Sequence, residues 1–299
     1  MRDPGRSTPA AETVADAVRR LAATFRGAGV DSPDLDARIL VAEALGISRT
    51  GLIAGPERPL TQSDLALIAD YEIRRKQREP VSRILGRREF RTLSLEIGST
   101  TLDPRPDTEI VVDAVVTLAN ENVERRPCPH VLDLGTGSGA ILLAALTELP
   151  GATGVGTDIE PGALQIARRN AERAGVAHRA EFQRADWLTD VTGTFDIVVS
   201  NPPYIAGGDI PSLEPEVARF DPRRALDGGP DGMSGYRAIL AGAGRTLCPK
   251  GWIVLEVGNG QAPAVIALCQ QFGFGADAPP RVWADLGGRA RCVAARARQ

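Results

Sequence analysis

The chain has few of the residues that build metal sites, disulfides and membrane spans. Its 299 residues include two histidines and four cysteines, and the cysteines stand far apart at positions 128, 248, 269 and 292. Zinc sites need clustered ligands, so this composition argues against a metal centre. Scattered cysteines fit a reducing compartment, and no apolar run is long enough to cross a membrane. The polar start up to Pro9 lacks the features of a secretory signal, so we expect a cytoplasmic protein.

A strong excess of charge is also absent. The formal net charge is −3, and the isoelectric point is near 5.6. Proteins that bind nucleic-acid phosphates usually carry a basic surface, so we expect no direct nucleic-acid partner. The hydrophobic content of 43% is ordinary for a globular protein, and the length allows two domains.

The first 85 residues have a helical pattern without catalytic motifs. Thr8-Pro9 looks like an N-cap with proline at the first helical position. Apolar residues then recur at helical spacing at Val14, Val18, Leu21 and Phe25. A later helix ends in the basic run Arg74 to Arg78, which we interpret as a solvated helix end rather than a contact for an acidic partner or RNA. The pattern predicts a helical domain over 1–85 that recognises or positions a substrate.

Residues 86–103 alternate between polar and apolar, which predicts a β-hairpin that links two domains. Over 104–299 strands alternate with helices. Strands are predicted at 130–134, 154–158, 180–184, 195–200, 252–257 and 291–295. This alternation predicts an α/β domain with a mostly parallel sheet that is covered by helices on both faces.

A glycine-rich turn, Gly135-Thr136-Gly137-Ser138-Gly139, lies between the first of these strands and a helix. Glycines let the backbone approach a ligand closely. The spacing also fits a dinucleotide fingerprint with Asp158 as its acidic residue, so NAD is one candidate ligand. However, Asp133 in the strand would repel a pyrophosphate and attract a cation. A sulfonium nucleoside explains more, with Asp158 at the ribose and Trp187 at the adenine, although Trp187 could equally be a core residue.

The segment Asn201-Pro202-Pro203-Tyr204 directly follows the buried strand 195–200. Ligands bind at the carboxyl ends of such strands. The two prolines stiffen the loop and remove two donors, so the Asn201 side-chain oxygen and the Pro202 carbonyl remain as acceptors. These acceptors suit a planar –NH2 group, and Tyr204 offers a flat face for stacking. The alternative is an ordinary proline-rich turn. Arg105, between two prolines, is either a surface charge or a charge beside the cofactor pocket.

At this point the sequence resembles the release-factor glutamine methyltransferases, the PrmC/HemK family of class I S-adenosylmethionine-dependent methyltransferases. The Asn-Pro-Pro-Tyr segment alone is shared with nucleic-acid amino-methyltransferases, but the combination of motifs is more specific. The chain differs mildly from the family pattern at Asp103, Asp107 and Met233-Ser234. The matching segments are Pro104-Arg105-Pro106-x-Thr108-Glu109, 131–139, 200–205, 225–229 and 255–258 with Gln261.

The resemblance implies a seven-stranded methyltransferase domain behind a helical domain. It implies methyl transfer from S-adenosyl-L-methionine, which becomes S-adenosyl-L-homocysteine, to the side-chain nitrogen N5 of the glutamine in the Gly-Gly-Gln loop of peptide-chain release factors. Carried over by motif, the cofactor residues are Gly135, Thr136, Gly137, Ser138, Gly139, Asp158, Trp187 and Asn201. The substrate residues are Asn201, Pro202, Pro203 and Tyr204, of which Asn201, Pro202 and Tyr204 would be catalytic.

Three alternatives stay open from the sequence. A methyltransferase for the amino groups of nucleic-acid bases would use the same clamp, and so would a ribosomal-protein glutamine methyltransferase. A non-catalytic binding module with this fold is the third, although intact glycine, acidic and Asn-Pro-Pro-Tyr elements argue against it.

Overall fold

The chain folds as two units, whose boundary lies between Leu85 and Gly86. The boundary falls where the apolar pattern changes from helical spacing to alternation. The computed structural model describes residues 11–121 and 127–298. Within these residues no helix has the length and apolar character needed to cross a membrane.

The first unit is helical. Its helices are α1 (Val14–Gly27), α2 (Pro33–Ala44), α3 (Arg49–Ala54), α4 (Gln62–Lys76) and α5 (Val81–Leu85). The cap expected at Thr8-Pro9 lies outside the described residues, and the helix through Val14 begins later than that cap implies. Thr13 is the N-cap, because its side chain accepts from the Asp16 backbone while the Asp16 carboxylate accepts from the Thr13 backbone.

The basic end of α4 contributes to the fold of the first unit. Arg75 is only 5% exposed and donates to the Asp36 carboxylate at 2.8 Å and to the Glu79 carbonyl at 3.2 Å. Arg74 forms a two-pronged pair with the Glu79 carboxylate at 2.6 and 2.9 Å. The interpretation as a solvated helix end is therefore wrong for these two arginines, since their guanidinium groups connect α4 to neighbouring segments.

The second unit begins with a hairpin of β1 (Arg87–Phe90) and β2 (Leu93–Glu96), which pair antiparallel. The hairpin occupies only the first part of the 86–103 segment. The chain then runs through a 3-10 turn at Pro106–Thr108 into α6 (Glu109–Glu121).

A seven-stranded sheet follows, with the strand order β5-β4-β3-β6-β7-β9-β8. Its strands are β3 (His130–Leu134), β4 (Thr153–Asp158), β5 (Ala180–Arg184), β6 (Phe195–Ser200), β7 (Leu247–Glu256), β8 (Arg281–Ala284) and β9 (Ala290–Arg296). The strands β3 to β7 pair in parallel, and β9 runs antiparallel to β7 and β8. The predicted fold class is confirmed. The sequence missed β8, because its burial alternates and it has no continuous apolar run.

Helices cover the sheet. They are α6, α7 (Ala140–Glu148), α8 (Pro161–Arg173), α11 (Ser234–Ala243) and α12 (Ala262–Gln271). Between β6 and β7 the chain forms two short helices, α9 (Pro215–Phe220) and α10 (Arg223–Leu226), before α11. Successive residues of β6 enter two different cores, with Ile197 and Val199 in one and Val198 in the other. A strand that is buried on both faces needs this continuous apolar run. In the sheet, β4 lies on one side of β3 and β6 lies on its other side. The strand order therefore reverses at β3, and a crevice opens there at the carboxyl ends of the strands.

Candidate active site

A cavity of about 570 Å³ lies at the carboxyl ends of β3, β4 and β6. The position of the cavity is the one that the fold predicts, because ligands of open α/β sheets bind where the strand order reverses. Most of the predicted site residues line it. They are Gly135, Thr136, Gly137, Ser138, Asp158, Trp187, Asn201 and Pro203. Three predicted residues are not among the lining residues, namely Gly139, Pro202 and Tyr204.

The glycine turn after β3 leaves room for a ligand. Gly135 and Gly137 have φ angles of +69° and +57°, and a Cβ added at either would meet no atom within 4 Å. The space beside both glycines is therefore open. Gly139 differs, because it caps α7 with φ +85° and an added Cβ would lie 2.9 Å from the Leu143 side chain. Its small size serves the packing of α7.

Asp158, at the end of β4, is tied to the glycine turn. One carboxylate oxygen accepts from the Gly137 backbone N–H and the other from the Glu160 backbone N–H, each at 2.9 Å. Burial raises the pKa of Asp158, and the backbone hydrogen bonds oppose this rise. Each oxygen retains a lone pair, so the carboxylate can also accept hydroxyl donors from a ligand.

Trp187 lies between the core and the cavity, and its contact with the cofactor stays a prediction. Its side chain packs against the hydrophobic core on one face of the sheet and also lines the cavity. Its φ of +51° is unusual for a bulky residue, so the loop after β5 holds it in a strained conformation. Asp186 lines the cavity beside it.

Asp133 reaches the glycine turn from inside the sheet. It is 1% exposed, and one of its oxygens accepts from the Thr136 hydroxyl at 2.6 Å. Burial raises its pKa to about 7. A carboxyl that is partly neutral at neutral pH attracts a cation less than a fixed charge does. The electrostatic argument against a pyrophosphate is therefore weaker than the sequence implied.

The clamp segment 201–204 follows β6 directly. The Asn201 side-chain NH2 donates to the Thr108 hydroxyl oxygen at 3.3 Å, and Asn201 and Pro203 line the cavity. Pro202 is buried, and its carbonyl takes part in none of the hydrogen bonds found among the described residues. The Asn201 amide oxygen and the Pro202 carbonyl are thus two acceptors left over by the fold at this corner.

Tyr204 anchors the clamp to the rest of the unit. Its carbonyl accepts from the Gln261 side chain at 2.9 Å, and its hydroxyl lies 3.5 Å from a Glu256 carboxylate oxygen. Burial is the main cause that raises the pKa of Tyr204. The Gln261 oxygen in turn accepts from the Gly258 backbone at 3.1 Å. Stacking on a substrate by the Tyr204 ring stays a prediction.

Two of these contact residues carried no role in the sequence analysis, although their motifs matched. Glu256 ends β7 and is 2% exposed, and Thr108 precedes α6. Burial raises the pKa of Glu256 to about 7, and the polar Thr108 side chain opposes this rise. The sequence did carry a signal for Glu256. It is an acidic residue within the apolar run 252–257, two positions before a glycine, as Asp133 is in its own strand.

Arg105 is held at the wall of the site. Its guanidinium forms an ion pair with Asp221 at 2.6 Å, and the Asp221 side chain is 1% exposed. The neighbours Pro104 and Pro222 both line the cavity. Arg105 is therefore a paired charge beside the cavity, and it joins the loop before α6 to the segment before α10. Among residues 11–121 and 127–298 no cluster of three metal-binding side chains occurs.

Two family models match the chain. Residues 16–86 match the PrmC N-terminal domain, and residues 109–215 match the methyltransferase small domain. Among solved structures, the hMettl16 catalytic domain in complex with a MAT2A 3′UTR hairpin shares the fold, at TM-score 0.53 and 14% identity over 68% of this chain and 75% of that one. Fold and site therefore define an α/β domain of the methyltransferase class.

Curated relatives narrow the class. The release factor glutamine methyltransferase of Bradyrhizobium diazoefficiens is 46% identical over 95% of both chains. The protein of the same name from Rhodospirillum rubrum is 47% identical over 91% of this chain and 81% of its own length. The chain belongs to the release factor glutamine methyltransferase family.

Proposed function

We propose that this protein transfers a methyl group from S-adenosylmethionine to the side-chain nitrogen N5 of the glutamine in the Gly-Gly-Gln motif of peptide-chain release factors. The observation that carries the proposal is the clamp. Asn201 lines the cavity while its NH2 group is engaged by Thr108, which leaves the amide oxygen as an acceptor. The names of its close relatives supply the substrate class.

The cavity fits this cofactor. Its volume of about 570 Å³ is in the range of ligand pockets, and the open space at Gly135 and Gly137 admits a ligand close to the backbone. Asp158 would accept the ribose hydroxyls, and Trp187 would pack on the adenine. When bound, S-adenosylmethionine supplies a methyl group on a positively charged sulfur and leaves as S-adenosyl-L-homocysteine. Asp158→Ala should weaken cofactor binding, and calorimetry that finds unchanged affinity would remove Asp158 from the site.

The residues of the clamp act by placement. An amide nitrogen is a weak nucleophile because its lone pair is delocalised into the carbonyl. The Asn201 oxygen and the Pro202 carbonyl would each accept one N–H of the glutamine amide and so fix the direction of the nitrogen. Pro203 closes the cavity wall beside them, while Tyr204 keeps the loop anchored. Holding reactants in line can lower a barrier by about 7 kcal/mol or more. A strong base is not required, since the proton can leave after transfer.

Two other substrates would suit the same clamp, a ribosomal-protein glutamine and an amino group of a nucleic-acid base. The net charge of −3 favours a protein substrate over nucleic acid. A reducing cytoplasm is the proposed location, because release factors act there and the four cysteines are unpaired.

Labelled S-adenosylmethionine distinguishes these substrates. The protein is incubated separately with purified release factor, ribosomal proteins, RNA and DNA, and peptide mass spectrometry locates the added methyl group. We expect labelling of release factor only, at the motif glutamine, and no labelling when that glutamine is replaced by alanine. If another substrate class is labelled and the release factor is not, the proposed function is wrong.

We also propose that the helical unit up to Leu85 recognises the protein substrate. Among the described residues, four of the seven exposed large hydrophobic side chains lie in this unit, at Leu35, Ile53, Leu67 and Ile73. Ile53 is 81% exposed and Ile73 is 60% exposed. In the full chain, Ile53→Ser and Ile73→Ser should raise the KM for release factor and leave cofactor affinity unchanged. An unchanged KM in both variants would contradict this role.

A further inference from the structure

The helix α8 carries one buried polar side chain that has no part in the mechanism above. Asn170 is 1% exposed, and its amide makes three hydrogen bonds to the backbone. The amide oxygen accepts from the Glu96 N–H at 2.8 Å, and the NH2 group donates to the Glu96 carbonyl at 3.0 Å and to the Ser138 carbonyl at 2.9 Å. Asparagine suits this place because its side chain offers an acceptor and two donors at once.

The partners of Asn170 belong to two segments that both line the cavity. Ser138 is part of the glycine turn after β3 and is itself a lining residue. Glu96 ends β2 and begins residues 96–102, which we call the wall segment. The wall segment contributes three lining residues, Ser99, Thr100 and Leu102. One buried amide therefore joins the glycine turn to the wall segment.

The same face of α8 lies along the wall segment. Gly162, Ile166 and Asn170 recur every four positions, which places them on one side of the helix. A Cβ added at Gly162 would lie 2.8 Å from the Thr100 side chain, and one added at Gly98 would lie 2.9 Å from the Ile166 side chain. Helix and wall segment are thus in contact at two glycines as well as at Asn170.

Surface ion pairs hold the wall segment as well, but they contribute less. Arg169 and Arg173 contact the Glu96 carboxylate at 2.6 and 3.1 Å, and their side chains are 46% and 58% exposed. Exposed pairs of this kind are typically worth less than about 1 kcal/mol. Loss of the Asn170 amide, in contrast, would leave buried backbone groups without a partner, which is costly.

We propose that Asn170 is a positioning residue that sets the spacing between the glycine turn and the wall segment, and through it the affinity for S-adenosylmethionine. The inference rests on the proposed function, in which this cavity binds that cofactor. The start of α8 at Gly162 follows Asp158 by four positions, whereas the clamp follows a different strand, β6. Asn170 therefore acts on the binding of the cofactor and not on the placement of the substrate nitrogen.

Asn170→Leu tests the amide, because leucine has a similar size and no hydrogen-bonding group. Calorimetry with S-adenosyl-L-homocysteine should show a Kd at least about tenfold above that of wild type. At saturating cofactor, kcat and the KM for release factor should stay within about threefold of wild type. Arg169→Ala is the matched control, since it removes a surface contact to the same Glu96, and it should bind the cofactor as wild type does.

Gly162→Ala tests the same contact without removing a buried polar group. Alanine favours a helix more than glycine does, so this variant should fold even if Asn170→Leu does not. Its Cβ must displace Thr100, and Kd should rise at least about fivefold. Gly244→Ala is the control, because a Cβ there would meet no atom within 4 Å. Unchanged cofactor affinity in either variant, once folded, would overturn the proposal.

Hydrogen exchange of the cofactor-free protein separates this inference from the proposed function. In Asn170→Leu, peptides that cover 96–102 and 135–139 should exchange faster than in wild type, while β6 and β7 should keep their wild-type rates. A uniform increase over the whole unit would indicate a general loss of stability and would overturn the proposal. If wild-type protein does not bind S-adenosyl-L-homocysteine, the proposed function is wrong, and the exchange rates still decide whether Asn170 holds the two segments together.

Discussion

Replacing Asn201 by alanine should separate folding from catalysis. Within the described part of the chain this side chain makes one hydrogen bond, a long one of 3.3 Å to Thr108, and it is half-buried at the cavity wall. Loss of such a bond costs about 1 kcal/mol of folding free energy. The thermal unfolding midpoint of Asn201→Ala should therefore drop by only a few degrees, roughly 2–4 °C for a chain of this size.

The cost to the reaction should be larger. Removal of one preorganised polar contact from a reacting group typically lowers kcat by about 10²–10³, or about 2.7–4 kcal/mol. The assay measures methyl transfer to release factor with both substrates saturating, and it includes a calorimetric measurement of cofactor affinity. Asn120→Ala is the control, because Asn120 is exposed at the end of α6. Methyl transfer by Asn201→Ala at close to the wild-type rate would refute the placement argument.

Two further predictions concern packing, one for each unit. An alanine Cβ at Gly228 would lie 2.8 Å from the carbonyl oxygen of Pro203 in the clamp. Gly228→Ala should therefore lower kcat at least about tenfold. Gly208→Ala is the control and should behave as wild type in the same assay, because a Cβ there would meet no atom within 4 Å. In the first unit, Asp36→Ala removes the carboxylate partner of Arg75, whose side chain is 6% exposed. Denaturant unfolding should show a loss of about 3–5 kcal/mol, while Asp34→Ala in the same helix should change little, and equal effects would contradict the argument.

The sequence predicted most of the α/β architecture because local spacing carries that information. Continuous apolar runs identified buried parallel strands such as β3 and β6, and the glycine turn marked the start of α7. The apolar pattern did not identify β8, because its residues alternate between half-buried and exposed. The start of α1 was also missed, because Thr13 and Asp16 form its cap rather than Thr8 and Pro9.

The sequence also identified most of the residues around the cavity, since each follows a predicted strand directly. Asp158 ends β4 and Asn201 follows β6, so the parallel arrangement alone brings both to one edge of the sheet. Spacing could not reveal which of them are held by distant partners. Thr108 lies 93 positions from Asn201 in the chain, and Gln261 lies 57 from Tyr204.

The amino-acid sequence by itself determined the order of strands and helices and the stiffness of the loop at Asn201, because both depend on residues within a few positions of one another. Only the tertiary structure decided that Thr108 engages the NH2 end of Asn201 and that the buried Glu256 lies beside Tyr204. Those contacts depend on how α6, β6 and β7 pack, and packing joins side chains without regard to their separation along the chain.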